Sequence, residues 1–239
     1  MAKVRKIIPQ STVDGPGNRF AVFLQGCNIR CAYCHNPETQ APDDPEAREM
    51  SVEDVLRELR PCVPFVRGIT VSGGECMLQV EWLTELFRTV KALADETGHS
   101  LTCLIDSNGT ILFARYPELM ALCDGVMLDV KSWDETVYRR LTGATDNHVV
   151  KENLQWLLRA HKLEEVRIVC LPERVDIENC LEHVAETFDS IGRKVPVRLL
   201  RFRPHGVVGE LAHHPMPTDE QMARYADLAA RLAIEVSIR

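Results

Sequence analysis

Compact apolar runs alternate along this chain with stretches whose apolar residues recur at helical spacing. That alternation restricts the fold more than any other feature. Arg19 to Leu24 is an apolar run, and Ser51-Val52-Glu53-Asp54 then reads as a capping box opening a helix striped by Val52, Val55, Leu56 and Leu59. Gly68 to Val71 is a short strand, followed by Trp82, Leu83, Leu86, Phe87, Val90 and Leu93 on one helical face. Leu101 to Ile105 and Gly125 to Val130 are further strands, and Asn147 is placed to cap a helix running through His161. Val166 to Leu171 is β-branched and precedes a helix over Ile177 to Ile191. Val197 to Phe202 is a strand entered through Pro196, and Thr218-Asp219-Glu220-Gln221 caps a last helix, with a possible terminal strand at Ile234 to Ile238. Regular alternation implies an α/β fold with parallel strands and right-handed helical crossovers. Six units are too few for a full eight-fold barrel, so the expectation is a partial (β/α)6 barrel with outer helices. No linker, repeat or low-complexity tract interrupts residues 1–239, which are expected to form one domain.

Chemistry enters at Cys27-Asn28-Ile29-Arg30-Cys31-Ala32-Tyr33-Cys34, where three thiols are packed into eight residues and His35-Asn36-Pro37 follows. Three close thiolates can hold one soft metal centre. A four-iron cluster normally takes four protein ligands, so three would leave one iron open to a small molecule. Structural zinc with His35 as the fourth ligand is the plainer reading, but Cys34 and His35 are adjacent, and paired zinc ligands are usually two or more residues apart. Disulfides are not expected from nine cysteines, an odd number, with no export signal in Met1 to Gln10. Cys62, Cys76, Cys103, Cys123, Cys170 and Cys180 lie mostly in apolar runs and read as small core residues.

A hydrophobic share of 45% and 26% charged residues mark an ordinary globular chain, expected in the cytoplasm. No apolar run approaches the roughly 20 residues that cross a bilayer. A net charge of −7 argues against a broad nucleic-acid surface.

The polar and glycine-rich clusters fall at the ends of successive strands: the cysteine triplet, Ser72 to Glu75, Asp106 to Gly109, Asp129 to Lys131 and Phe202 to Gly206. In barrels of this kind that face builds the active site. Turn formation explains any one of these loops. It does not explain a lysine behind apolar Val126 to Leu128, or a glutamate after two glycines, since an unpaired buried charge is costly.

Together, the triplet with His35-Asn36, the run Asp14-Gly15-Pro16-Gly17-Asn18-Arg19, Gly73-Gly74-Glu75, Asp106-Ser107-Asn108-Gly109 and Asp129-Val130-Lys131 resemble the radical S-adenosylmethionine (SAM) enzymes. Within them the similarity is to glycyl-radical enzyme activases of the pyruvate formate-lyase activating enzyme type, over nearly the whole chain. Ile69 to Glu75, Leu101 to Leu104 and His205-Gly206-Val207 resemble the YjjW-type branch, without its cysteine-rich, ferredoxin-like insertion. The resemblance implies a [4Fe-4S] cluster on Cys27, Cys31 and Cys34, with the amino and carboxylate groups of SAM on the fourth iron. It implies that Gly73, Gly74 and Glu75 serve the SAM ammonium, Lys131 its carboxylate, and Asp129 the ribose or, with Asp106, a cation. Val130 lies between two of these contacts, and Tyr33 and His35 would meet the adenosine. A family histidine aligns with Arg203, leaving Arg203 or His205 as the SAM contact there, and Arg167 aligns with a cavity-facing arginine or is an edge residue. His213-His214 read as a solvated loop. The implied activity is reductive cleavage of SAM and abstraction of a Cα hydrogen from a glycine of a partner protein. The implied electron donor is a flavodoxin or ferredoxin, and the chain is expected to be a monomer. The alternatives are a radical SAM enzyme acting on a small molecule, or a non-catalytic iron–sulfur or zinc protein.

Overall fold

The computed structural model describes residues Met1–Arg239. Nine strands form: β1 (Ala2–Ser11), β2 (Arg19–Leu24), β3 (Arg48–Met50), β4 (Gly68–Gly73), β5 (Thr102–Ser107), β6 (Gly125–Asp129), β7 (Leu163–Cys170), β8 (Val197–Arg201) and β9 (Val236–Ile238). The helices are α1 (Val52–Leu59), α2 (Val80–Thr97), α3 (Pro117–Leu122), α4 (Glu135–Thr142), α5 (His148–Arg159), α6 (Ile177–Ile191) and α7 (Asp219–Arg231). The hydrogen-bonded order is β3-β1-β2-β4-β5-β6-β7-β8-β9. β2–β4, β4–β5, β7–β8 and β8–β9 are parallel, whereas β1 pairs antiparallel with both β2 and β3. The α/β expectation holds, and all six expected strands are present. None of the helices is long and apolar enough to cross a membrane.

Contacts divide the chain into two compact units. The first comprises Met1–Asn28, Glu38–Ser107 and Phe113–Met127; the second comprises Ile29–Pro37, Asn108–Leu112 and Leu128–Arg239. In the first unit, Ser51 and Asp54 form the expected reciprocal cap of α1, and Leu83, Leu86, Phe87 and Val90 of α2 are fully buried. Arg19 is only 1% exposed. Its guanidinium donates to Thr70 Oγ1 at 3.1 Å, Thr102 Oγ1 at 2.5 Å and the carbonyls of Ile69 and Thr102 at 2.5 and 3.0 Å. Thr70 Oγ1 in turn donates to the Asp14 carbonyl at 2.7 Å. The Asp14–Arg19 run is therefore an anchor across the starts of β4 and β5.

In the second unit, β7 and β8 bury Val166, Ile168, Cys170, Val197 and Leu199, while α5 and α6 bury Leu154, Leu157, Leu158, Val184 and Phe188. Asn147 departs from expectation. Its side chain makes no cap to α5 but donates to the carbonyls of Ser132 and Trp133, while Asp146 accepts from the His148 N–H. That helix also stops at Arg159, because His161 takes a left-handed φ of 58°. Arg167 is buried rather than exposed on an edge. Its Nε lies 2.6 Å from Glu165 Oε1, and Glu165 Oε2 holds Arg198 at 2.6 Å.

Two strands and two helices were not evident in the sequence. β1 carries Lys3, Arg5, Lys6 and Pro9, and its register to β2 is irregular between Ile8 and Ser11, where proline can supply no N–H. β3 has only three residues, too few to show a period. α3 and α4 are short, and α4 (Glu-Thr-Val-Tyr-Arg-Arg-Leu-Thr) is largely polar. Its end signals were nevertheless readable: Asp134 caps it by accepting from Val137 N–H, and Gly143 closes it at φ 70°.

Arg19→Met should lower stability by about 2–3 kcal/mol, because hydrogen bonds to a charged group are lost and buried acceptors are left unpaired. Urea denaturation of the variant would check this; an unchanged midpoint would show the anchor to be dispensable.

Candidate functional site

The site loops are set up at strand ends. In the first unit, the β2–β4 pairing continues past its last rung: Gly74 N–H donates to the Leu24 carbonyl at 3.0 Å and Glu75 N–H to the Gly26 carbonyl at 2.9 Å. Such proximity needs glycine. A Cβ on Gly74 would lie 2.1 Å from Gly26 O, and one on Gly73, at φ 122°, would lie 2.2 Å from Leu24 N. Gln25 steadies the same turn by donating to the carbonyls of Glu38 and Ala41, and Cys27 N–H donates to Gln40 O at 3.2 Å.

Glu75 is 1% exposed, and its charge is not bare. Oε1 accepts from Met77 N–H at 3.0 Å and from Ser107 Oγ at 2.9 Å, so the carboxylate caps the next turn and ties it to the end of β5. Asp106, also at that end, accepts from Ser72 Oγ at 3.1 Å.

In the second unit, the remaining loop cysteines are seated by α4. Arg30 N–H donates to Thr142 O at 2.7 Å, and Ala32 N–H donates to Leu141 O at 2.8 Å. Cys34 N–H closes back on Cys31 O at 3.1 Å. Tyr33 is buried, with Lys131 Nζ 5.8 Å from its ring centroid. Lys131 is 9% exposed and pairs with Asp129 Oδ2 at 2.7 Å. Burial opposes its charge, but Asp129, with Cys31 and Tyr33, outweighs this and raises the ammonium pKa well above its ordinary value. Burial likewise pushes the Tyr33 phenol well up, against Lys131. Both strand-end charges singled out in the sequence are thus buried and already paired. Val130 is buried, and its N–H donates to Arg167 O at 2.9 Å.

His35 meets the residues after β8 through their backbone. Its Nε2 donates to the Arg203 carbonyl at 2.8 Å, and its ring stacks on Phe202 at 6.2 Å. Gly206 packs so closely that a Cβ there would lie 2.6 Å from His35 O. The side chains of Arg203 and His205 are exposed. His213 is exposed as expected, but His214 is half-buried, edge-on to Phe202 at 6.0 Å.

None of the nine cysteines is in a disulfide; Cys27, Cys31 and Cys34 are half-buried, and five of the other six are buried. No three His, Cys, Asp or Glu side chains are gathered around a position for a single metal ion. A four-iron cluster gives each thiolate its own iron and makes no such demand.

The sequence profile of the Radical SAM superfamily matches residues 21–186. The chain belongs to that superfamily. It is 33% identical over 227 residues to a putative glycyl-radical enzyme activating enzyme of Haemophilus influenzae, covering 87% of this chain and 84% of the relative. It is 32% identical over 251 aligned positions to the pyruvate formate-lyase-activating enzyme of Staphylococcus aureus, covering 94% and 95%. A domain of a pyruvate-formate lyase-activating enzyme from Bacteroides vulgatus shares the fold, with a TM-score of 0.59 at 20% identity over 72% of this chain and 98% of that one. The cofactors of this radical SAM chain are a [4Fe-4S] cluster and SAM. The donor set suits them: three thiols, none in a disulfide, fall within one eight-residue stretch, and the buried hydroxyl of Tyr33 in the same stretch has no partner among the protein's own atoms.

Gly74→Ala should force the two strand ends apart. Overpacking against backbone costs about 1–3 kcal/mol, and iron uptake on anaerobic reconstitution should fall with it. Normal stability together with full iron loading would show that the close approach is not needed.

Proposed function

We propose that this chain is an activating enzyme for a glycyl-radical enzyme. The observation that carries the reading is a loop with three cysteines and no fourth, in a chain that matches named activating enzymes over 84–95% of their length. Bound together, cluster and SAM supply reductive cleavage to a 5′-deoxyadenosyl radical, which takes the Cα hydrogen of one glycine on the partner protein.

The chain's own residues bind and orient. Cys27, Cys31 and Cys34 would hold the cluster and, being three, would leave one iron open to the amino and carboxylate groups of SAM. The Gly73-Gly74 backbone admits the methionine end, and Glu75 meets its ammonium with acceptor capacity beyond its bonds to Met77 and Ser107. Lys131 meets the carboxylate, and Asp129 turns toward the ribose or, with Asp106, a cation. Tyr33, His35 and Val130 line the adenosine. Given the exposure of both side chains after β8, Arg203 contributes first through the carbonyl that fixes His35, and His205 is the side chain free to swing toward the nucleoside.

The partner is a larger protein presenting a glycine loop. Glycine suits this chemistry because flanking amides stabilise its radical and no side chain blocks approach. A flavodoxin or ferredoxin delivers the electron. The chain works as a monomeric single catalytic domain in the cytoplasm, with neither nucleic acid nor membrane as partner, a reading supported by its net charge of −7.

Anaerobic reconstitution should give about four irons per chain and essentially none in the triple Cys→Ala variant. Mixing the reduced protein with SAM and a candidate glycyl-radical enzyme should yield a doublet in electron paramagnetic resonance that collapses when the partner's glycine is replaced. Vigorous SAM cleavage with a small molecule, and no partner radical, would overturn the reading. Lys131→Ala should weaken SAM binding by about 1.5–3 kcal/mol, the range for a charge-assisted hydrogen bond, while iron content stays intact. Unchanged affinity in equilibrium binding would remove Lys131 from the site.

A further inference from the structure

Asn147 and Asp176 stand at the N-caps of α5 and α6, and neither side chain caps its own helix. Asparagine and aspartate are favoured at that position because their oxygens accept the free N–H groups of the first turn. Both helices therefore go without a bond that their sequence could have supplied. Both side chains reach instead to the turn between β6 and α4.

They hold that turn in a complementary way. The Asn147 amide donates to the Ser132 carbonyl at 3.0 Å and to the Trp133 carbonyl at 2.9 Å. Asp176 Oδ2 accepts from Trp133 N–H at 3.1 Å and from Asp134 N–H at 2.8 Å. The carbonyl of one residue and the N–H of the next belong to one planar peptide unit. Two successive peptide planes, Ser132–Trp133 and Trp133–Asp134, are thus each held at both ends, the oxygen by an amide and the nitrogen by a carboxylate. A plane held at one end can still rotate about its neighbouring bonds; a plane held at both cannot without breaking a hydrogen bond. The same two helices hold the side chain between the planes. The Trp133 ring stacks on His183 of α6 at 5.0 Å, and Lys151 Nζ of α5 lies 5.0 Å from its centroid.

Lys131 comes directly before the clamped planes. On its other side, Val130 N–H donates to the Arg167 carbonyl at 2.9 Å. The backbone that carries the Lys131 ammonium is therefore anchored both before and after it. Two helices giving up their caps is a departure from local preference, and such departures gather where a functional site requires them.

We propose that Asn147 and Asp176 are positioning residues for Lys131, and that by fixing the backbone behind its ammonium they set the affinity for the carboxylate of SAM. The inference rests on Lys131 meeting that carboxylate, the reading given under the proposed function.

The test is equilibrium binding of SAM to anaerobically reconstituted protein, with iron content and urea midpoint measured on every variant. Asp176→Ala and Asn147→Ala should each weaken SAM binding by about fivefold, within the range of couplings between residues of one hydrogen-bond network. Asn147 carries no charge, so a loss shared by both variants is not a matter of long-range electrostatics. Combined with Lys131→Ala, neither change should weaken binding further, because each acts through Lys131. Asp176→Asn keeps a neutral oxygen for the two N–H groups and should fall between wild type and Asp176→Ala, since bonds to a charged acceptor are stronger. A lower urea midpoint with wild-type SAM affinity would overturn the proposal and leave the clamp a purely structural one. Losses that add in full to that of Lys131→Ala would overturn it as well. If Asp176→Ala does not take up iron, Asp176→Asn and Asn147→Ala carry the test, and wild-type affinity in both overturns the inference. Failure of the underlying reading is distinguishable: Lys131→Ala would then itself bind SAM as wild type does, whereas failure of the clamp alone leaves Lys131→Ala weak and Asp176→Ala at wild-type affinity.

Discussion

The constraint on which the rest of the first unit depends is the backbone approach at Gly73-Gly74. Parallel pairing of β2 and β4 brings Gly73 opposite Leu24, and the next two N–H groups continue onto Leu24 and Gly26. The chain leaving β2 is thereby directed into the cysteine loop at Cys27. Directly afterwards, the Glu75 carboxylate caps one turn and holds Ser107 at the end of β5. Three strand ends are linked through one tripeptide. A side chain at position 74 would meet backbone oxygens of Gly26 and Thr39, atoms that cannot swing aside as a flexible side chain can. The Gly-Gly-Glu pattern is therefore a requirement of the fold before it is a feature of any ligand site.

Paired charges change what ligand binding must supply. Lys131 lies against Asp129 and beneath no bare solvent, and Glu75 already satisfies two donors. An arriving carboxylate or ammonium does not rescue an isolated buried charge, which would yield many kcal/mol. It exchanges or adds to bonds already made, which keeps the net gain within the few kcal/mol typical of a charge-assisted hydrogen bond. It also keeps the ligand-free fold from carrying a large electrostatic penalty.

What could be read beforehand followed from period and punctuation. β2, β4, β5, β6, β7 and β8 stood out by their apolar runs, because parallel strands covered by helices need near-continuous ones. α1 and α7 announced themselves through Ser51/Asp54 and Thr218/Gln221, and both reciprocal caps form. β1 did not, because it is only partly buried and β3 pairs with it only over Ala2–Val4, so the rest of its outer side tolerates arginine, lysine and proline. α4 was hidden for a different reason. Its buried face is only Tyr138, Leu141 and Thr142, too narrow to register as a stripe, yet that face seats the cysteine loop. At the site, residue identity was legible, but hydrogen bonding was not. The role of Asn147 as a brace for the Ser132 and Trp133 carbonyls, and the use of the Arg203 carbonyl by His35, depend on contacts between segments far apart in sequence.

With nine cysteines and none in a disulfide, the proposed cluster site raises the question of why iron would prefer three of them. The thiolate is the ligand, and burial in apolar surroundings disfavours it. Burial pushes Cys170 up to about 12 and raises Cys76, Cys103 and Cys180 well above the ordinary range, so at neutral pH these stay protonated. Cys123 is also fully enclosed, and Cys62 is half-buried but has no second cysteine beside it in the chain. Cys27, Cys31 and Cys34 differ on both counts. They are only half-buried. Their separation by three and two residues means that once one thiolate has bound, the others are held nearby without further loss of chain entropy. Selection thus rests on burial elsewhere as much as on chemistry in the loop.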